Sequence, residues 1–329
     1  MSIPFHLFRV LTLAMVFMLV GCGDKPVPTP PVKDKSGAAK QRGVIGLSVL
    51  TMANPFFKEI ADTMRDEAAK HGYELAVVSA DFDVNKQQNQ VKDFIVRKVA
   101  AIVLTPANSR AIGTAIKEAN AAGIPVFTAD IAAIGEGIDV LSHIATDNFA
   151  GGQQAAIAIV EAIGGRGKIA ILDHPEVESV MLRTKGFKEK LAELNKVAGN
   201  NVEIVATLPG GGDREKSFKA TLDLLQSNAD LAGVFAINDP SALGAVGALE
   251  SVDKLGAVKV VGFDGMLEGK KAIRAGKMYA DPIQFPDKIA RQTVRAIVSH
   301  FDGEKVERQT LIPTALYRKI DAEQDKALD

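Results

Sequence analysis

The sequence predicts an α/β chain made of two similar doubly wound parallel-sheet domains joined by a multi-strand hinge. Three observations predict it: short continuous apolar runs, helical periodicity in the segments between them, and a layout that recurs in the second half of the chain. Continuous apolar strands need both faces covered, which the helices of right-handed crossover units supply. The 329 residues, 47% hydrophobic and 24% charged, have a globular make-up and suit two domains better than one core. Lys plus Arg (39) nearly balance Asp plus Glu (40), so the charge pattern carries no footprint of nucleic-acid binding.

The first segment reads as a targeting signal. Arg9 precedes an unbroken apolar run from Val10 to Val20, too short for a membrane-spanning helix of about 20 residues and suited to the core of a signal peptide. The run ends in "LVGC", which resembles the lipobox of bacterial lipoproteins. Cys22 is the single cysteine, and its place after a signal core marks it as the lipid-bearing first residue of the mature chain. Residues 1–21 are then a lipoprotein signal peptide, no disulfide is expected, and residues 22–42, with four prolines, form a flexible tether.

The folded part is expected from Gly43. After the run "VIGLSVL", the stretch "ANPFFKEI" opens a helix, with Asn54 as the cap and Pro55 in the first turn. Phe57, Ile60, Ala61, Met64 and Ala68 keep helical spacing and mark its core face. Phe56 lies off that stripe, beside the polar Thr63 and Glu67, and has no evident core to join. The runs "LAVVSA", "AIVLTP" and "IPVFTAD" follow, with a helical segment from Ser109 to Ala122 between the last two. The second half runs through "KIAILD", "VEIVATL", "LAGVFAIND" and "VKVVGFDG". "IVLTPANS" to "VFTAD" echoes "VFAIND" to "VVGFDG", although any two strand-helix-strand units share such spacing. A last helix, Pro286 to Phe301, places Ala290, Val294, Ile297 and Phe301 on one face and is expected to return to the first domain. The domain limits read this way are 43–146 plus 285–313 for the N-terminal lobe and 147–284 plus 314–329 for the C-terminal lobe and tail.

Several strands end in a polar residue: Thr105, Asp130, Asn238 with Asp239, and Asp264. Ligands of open α/β sheets collect at these carboxyl ends, while helix caps and turns also favour Asp and Asn. Spacing alone does not single out Arg183 or Gln284, each of which also suits a solvated surface or an ordinary loop. Enzyme motifs are absent: there is no G-x-S-x-G and no H-E-x-x-H, and the histidines at 6, 71, 143, 174 and 300 are scattered. "GGRGK", Gly164 to Lys168, lacks phosphate-loop spacing and leads into a strand.

Taken together, "ANPFFKEI", "IPVFTAD", "HIATDNFAGG", "FAINDPSALGA", "VVGFDG" and "IQFPD" resemble the ribose-type periplasmic sugar-binding proteins, relatives of the lactose-repressor ligand domain. The resemblance runs from Gly43 to about Leu316. It implies the type I periplasmic binding protein fold and a monosaccharide bound by Asn54, Phe56, Phe57, Asp130, Arg183, Asn238, Asp264 and Gln284. Carboxylates accept from hydroxyls, Arg donates in a fork, amides do both, and aromatic rings cover C–H faces. It further implies lobes that close on the sugar, an ABC permease with its ATPase as partner, and a monomer. No cofactor, metal or enzymatic activity is implied. With the lipobox it gives a periplasmic or cell-surface lipoprotein. Three positions depart from the ribose type. Ile131 stands for an arginine, Gly212 for an aromatic residue and Thr105 for an asparagine, which implies a sugar other than ribose. A receptor subunit passing a sugar or furanosyl signal to a chemoreceptor or sensor kinase would share this fold and site. So, less readily, would an enzyme on the same scaffold.

Overall fold

The computed structural model describes residues 42–329; the signal peptide, Cys22 and most of the tether lie outside them. The first sheet begins with β1 (Gly43–Val49), α1 (Pro55–Lys70), β2 (Tyr73–Ser79), α2 (Val84–Val96) and β3 (Ala101–Leu104). It continues with α3 (Gly113–Ala121), β4 (Val126–Ala129) and β5 (Ser142–Thr146). After α4 (Asn148–Ala162) come β6 (Arg166–Asp173), α5 (Glu178–Leu194), β7 (Asn201–Pro209), α6 (Arg214–Ser227) and β8 (Leu231–Ala236). Then follow α7 (Asp239–Ser251), β9 (Lys259–Val261), α8 (Leu267–Arg274), β10 (Ala280–Ile283), α9 (Pro286–Phe301), β11 (Gln309–Ile312) and β12 (Ala315–Arg318).

The two sheets repeat one plan. Their strand orders are β11-β5-β4-β3-β1-β2 and β12-β10-β9-β8-β6-β7, so β3 and β4 occupy the places that β8 and β9 occupy in the second sheet. The sequence echo therefore reflects a real structural repeat. Every pairing is parallel except β10 with β12. The chain passes between sheets three times: after β5, after β10, and between β11 and β12. This is the multi-strand hinge. Helix α9 packs on α1 and on β4 and β5.

The strands are buried because their apolar runs are covered on both faces, with Ile45, Leu47, Val49, Ile171 and Phe235 fully enclosed. The local chemistry of α1 is as read: Asn54 accepts from the Phe56 amide at 3.0 Å and Pro55 opens the first turn. Three details differ. Helix α3 starts at Gly113, leaving Ser109 in the loop before it. Phe301 is 41% exposed at the end of α9, whose buried face is instead Ile289, Ala290, Thr293, Val294 and Ile297. Arg183 sits inside α5, in its second turn, and is 3% exposed, not on a solvated surface. Among the described residues no helix is long and apolar enough to cross a membrane.

Candidate functional site

Both sheets point the carboxyl ends of their strands at one cavity, the place where ligands of such sheets collect. It brings together Asn54, Phe56, Phe57, Asp130, Arg183, Asn238, Asp264 and Gln284, with Ile131 and Gly212 among the other lining residues. Thr105 does not join them. Its hydroxyl accepts from the Leu50 amide at 2.7 Å, so it holds the end of β3 to β1 behind the cavity wall.

The first sheet contributes an apolar edge and one carboxyl group. Phe56 and Phe57 meet edge to face at 5.3 Å. Phe56 is 1% exposed and belongs to the core cluster as well as to the cavity wall, so the ring that lacked a core in the sequence has one, formed by tertiary packing. Asp130 follows β4 in a left-handed conformation, φ 64°, with its amide bonded to the Ile144 carbonyl at 2.8 Å. Its Oδ1 is buried without a protein partner. Burial pushes its pKa up to about 7, against the pull of Arg183, while Asp264 and Glu178 push the same way as burial.

The second sheet contributes the denser polar network. Arg183 donates from Nε to Asn148 at 2.8 Å and from Nη1 to the Ile237 carbonyl at 2.6 Å, and its guanidinium lies 3.8 Å over the Phe263 ring. Nη1 is 3.4 Å from Asp264 Oδ1, which also accepts from Gln284 Nε2 at 2.7 Å. Asp264 Oδ2 and Gln284 Oε1 remain buried without protein partners. Burial raises the Asp264 pKa, opposed by Arg183, Gln284, the Asp239 amide and Asn54. Asn238 caps α7 through its oxygen, bonded to the Ser241 amide at 2.9 Å, and donates to the Gly212 carbonyl at 3.1 Å. The cap reading and the cavity reading of the two asparagines are therefore compatible: Asn54 and Asn238 each spend the side-chain oxygen on a helix and still line the cavity.

Sequence reasoning did not find three features. Phe82 and His174 line the cavity. His174 follows the end of β6, so the strand-end rule applied to "KIAILD" points at it. The third is a pair of buried carboxyl groups, Asp239 and Asp281, behind Asp264. Asp239 accepts from the Met266 amide at 2.6 Å and Asp281 from the Gly265 amide at 3.0 Å, so together they hold the turn that carries Asp264. Asp281 lies in β10, whose "ADPI" holds too few apolar residues to be read as a strand.

A family model described as "Periplasmic binding protein domain" matches residues 45–305. The ribose import binding protein RbsB of Bacillus subtilis (strain 168) is 33% identical over 308 residues, 93% of this chain and 96% of the relative. The ribose import binding protein RbsB of Escherichia coli (strain K12) is 37% identical over 274 residues, 83% of this chain and 89% of the relative. Among solved structures, an ABC transporter solute binding protein from Agrobacterium vitis bound with alpha-D-tagatopyranose superposes with a TM-score of 0.81 at 26% identity, over 87% of this chain and 98% of that one. The fold, the strand-end cavity and these likenesses agree: the chain belongs to the periplasmic binding protein family and stands with its ribose-type members.

Proposed function

We propose that the protein captures a monosaccharide between two closing lobes and delivers it to an ABC permease. The observation that carries this reading is the set of buried acceptors facing one cavity, Asp130 Oδ1, Asp264 Oδ2 and Gln284 Oε1, none with a partner in the protein. Buried acceptors without donors are strongly disfavoured, and a molecule rich in hydroxyl groups supplies several donors at once. Phe56 and Phe57 supply the apolar surface for its C–H face. The lobes that move are residues 43–146 plus 285–313 and 147–284 plus 314–329, by the hinge closure for which periplasmic binding proteins are known. The protein acts as a binding protein and not as an enzyme, as a monomer outside the cytoplasm, held at a membrane through lipid on Cys22.

The bound sugar is one other than ribose. At Ile131 the cavity wall is apolar where the ribose type has an arginine fork, and Gly212 carries no ring. A site missing a donor loses affinity for the ligand that needs it. A thermal-shift screen of the purified protein against pentoses, hexoses, deoxy sugars and polyols tests this, because a ligand that binds only the folded state raises Tm by mass action. One monosaccharide should raise Tm well above the shift given by ribose. A largest shift with ribose would contradict the specificity, and no shift with any sugar would contradict the function.

A further inference from the structure

One end of the cavity is built from residues outside the family set. The turn after β2 holds Asp81 (φ 53°) and Phe82 (φ 63°) in consecutive left-handed conformations, a strained arrangement for an aromatic residue that recurs where function demands it. The Phe82 amide is bonded to the Leu50 carbonyl at 3.1 Å, and the ring stands edge-on to that of His174 at 6.2 Å and 82°. His174 comes from the other sheet, so the contact bridges the cleft. Its Nδ1 lies 3.1 Å from a Glu176 carboxylate oxygen, while Nε2 is buried with no partner in the protein. Cδ2, the atom bonded to Nε2, is 4.0 Å from where a side chain at Gly212 would begin. A strained aromatic, an unengaged buried ring nitrogen and a glycine in place of an aromatic thus meet at one end of the site.

The ring chemistry follows from these neighbours. Burial lowers the His174 pKa against the pull of Glu176 and Asp173, and Lys216 lowers it further, so the imidazole is neutral near pH 7. With Nδ1–H directed at Glu176, Nε2 carries the free lone pair and accepts.

We propose that Phe82 and His174 form the specificity-determining wall of this binding site: Phe82 covers a C–H face of the sugar, and His174 Nε2 accepts from one of its hydroxyl groups. The wall lost at Gly212 is regained from two other positions in the chain, one in each lobe. This rests on the monosaccharide reading above. It selects the epimer whose hydroxyl faces His174 over the epimer or deoxy sugar that lacks one there.

The test titrates purified protein carrying ¹⁵N-labelled histidine with D-ribose, D-allose, D-galactose, D-arabinose and 2-deoxy-D-ribose, with thermal shifts and affinities measured in parallel for wild type, His174→Ala and Phe82→Leu. A sugar that raises Tm should move the His174 Nε2 resonance, identified by its loss in His174→Ala. It should bind that variant about three- to tenfold more weakly, the value of one neutral hydrogen bond, and both variants should lose preference among epimers. A sugar that raises Tm while the Nε2 resonance stays in place and both variants keep affinity and rank order would overturn the proposal and leave the monosaccharide reading standing. No Tm shift with any of the sugars would overturn both.

Discussion

Asp264 shows how much the site depends on single residues held against their preferences. Its backbone is at φ 115° and the next residue, Gly265, is at φ 74°, outside the ordinary range of L residues. The conformation persists because Asp239 and Asp281 take the amides of Met266 and Gly265. Both carboxyl groups are buried, and a charge on Asp281 would push the Asp239 pKa up further, so the pair retains a proton that the unfolded chain would lose. Burial is the main cause. It raises Asp281 to about 7 and Asp239 well above the usual carboxylate range. Through these two groups the folded state binds more protons than the unfolded state between about pH 4 and 7, and their contribution to stability falls as pH rises through that window. His143, which burial lowers to about 4, opposes this below about pH 6.5. Urea unfolding should give a less stable protein at pH 8 than at pH 5. Asp281→Asn keeps an acceptor for Gly265 and a donor for Asp239, so it should shrink this difference. Asp130 titrates in the same window, so part of the difference should survive. An unchanged difference in Asp281→Asn would remove the pair as its source.

Among the elements, the crossing of α4 and α5 positions Arg183. The two helices touch backbone to backbone: a Cβ at Gly152 would come 2.0 Å from the Arg183 carbonyl oxygen, and one at Gly186 would come 2.1 Å from that of Phe149. Gly152→Ala should destabilise the fold by about 2 kcal/mol or more, because a rigid backbone atom has to move. In α7, a Cβ at Gly247 meets only the Phe218 ring at 3.5 Å, so Gly247→Ala should be neutral or stabilising by up to about 1 kcal/mol. Denaturant midpoints of the two variants check this contrast, and equal midpoints would contradict it. Elements were legible in the sequence where local signals were strong. The eight apolar runs and the α1 cap are of this kind, and so is α9, found at Pro286–Phe301 as read. β5, β10, β11 and β12 were not, because "SHIAT", "ADPI", "QTLI" and "ALYR" are short, mix polar residues or proline with apolar ones, and sit at or near sheet edges where β11 and β12 pair with strands distant in the chain. Phe56 and Arg183 failed the local reading for the same reason, since their burial comes from the other elements around them. The strand-end rule picked out Asp130, Asn238 and Asp264, which line the cavity, together with Thr105 and Asp239, which do not. Arg183 and Gln284 came only from the family resemblance, and Phe82 and His174 from neither.

For the whole molecule, the decisive feature is that neither sheet completes the site. The first sheet brings Asp130 with Phe56 and Phe57, and the second brings Arg183, Asn238 and Asp264. Ser109, ahead of α3, already joins them at the rim: its amide is bonded to the Glu176 carbonyl at 3.0 Å and its hydroxyl accepts from the Glu178 amide at 2.8 Å. In the function proposed above, one sugar is gripped from both sides. Calorimetric titration of wild type, Asp130→Ala and Asp264→Asn with the monosaccharide that most raises Tm tests it most directly. Wild type should show saturable one-to-one binding, and each variant should lose about 2 kcal/mol or more, roughly 30-fold, as charge-assisted hydrogen bonds warrant. Wild type that fails to saturate with any sugar, or a variant from either lobe that binds like wild type, would contradict it.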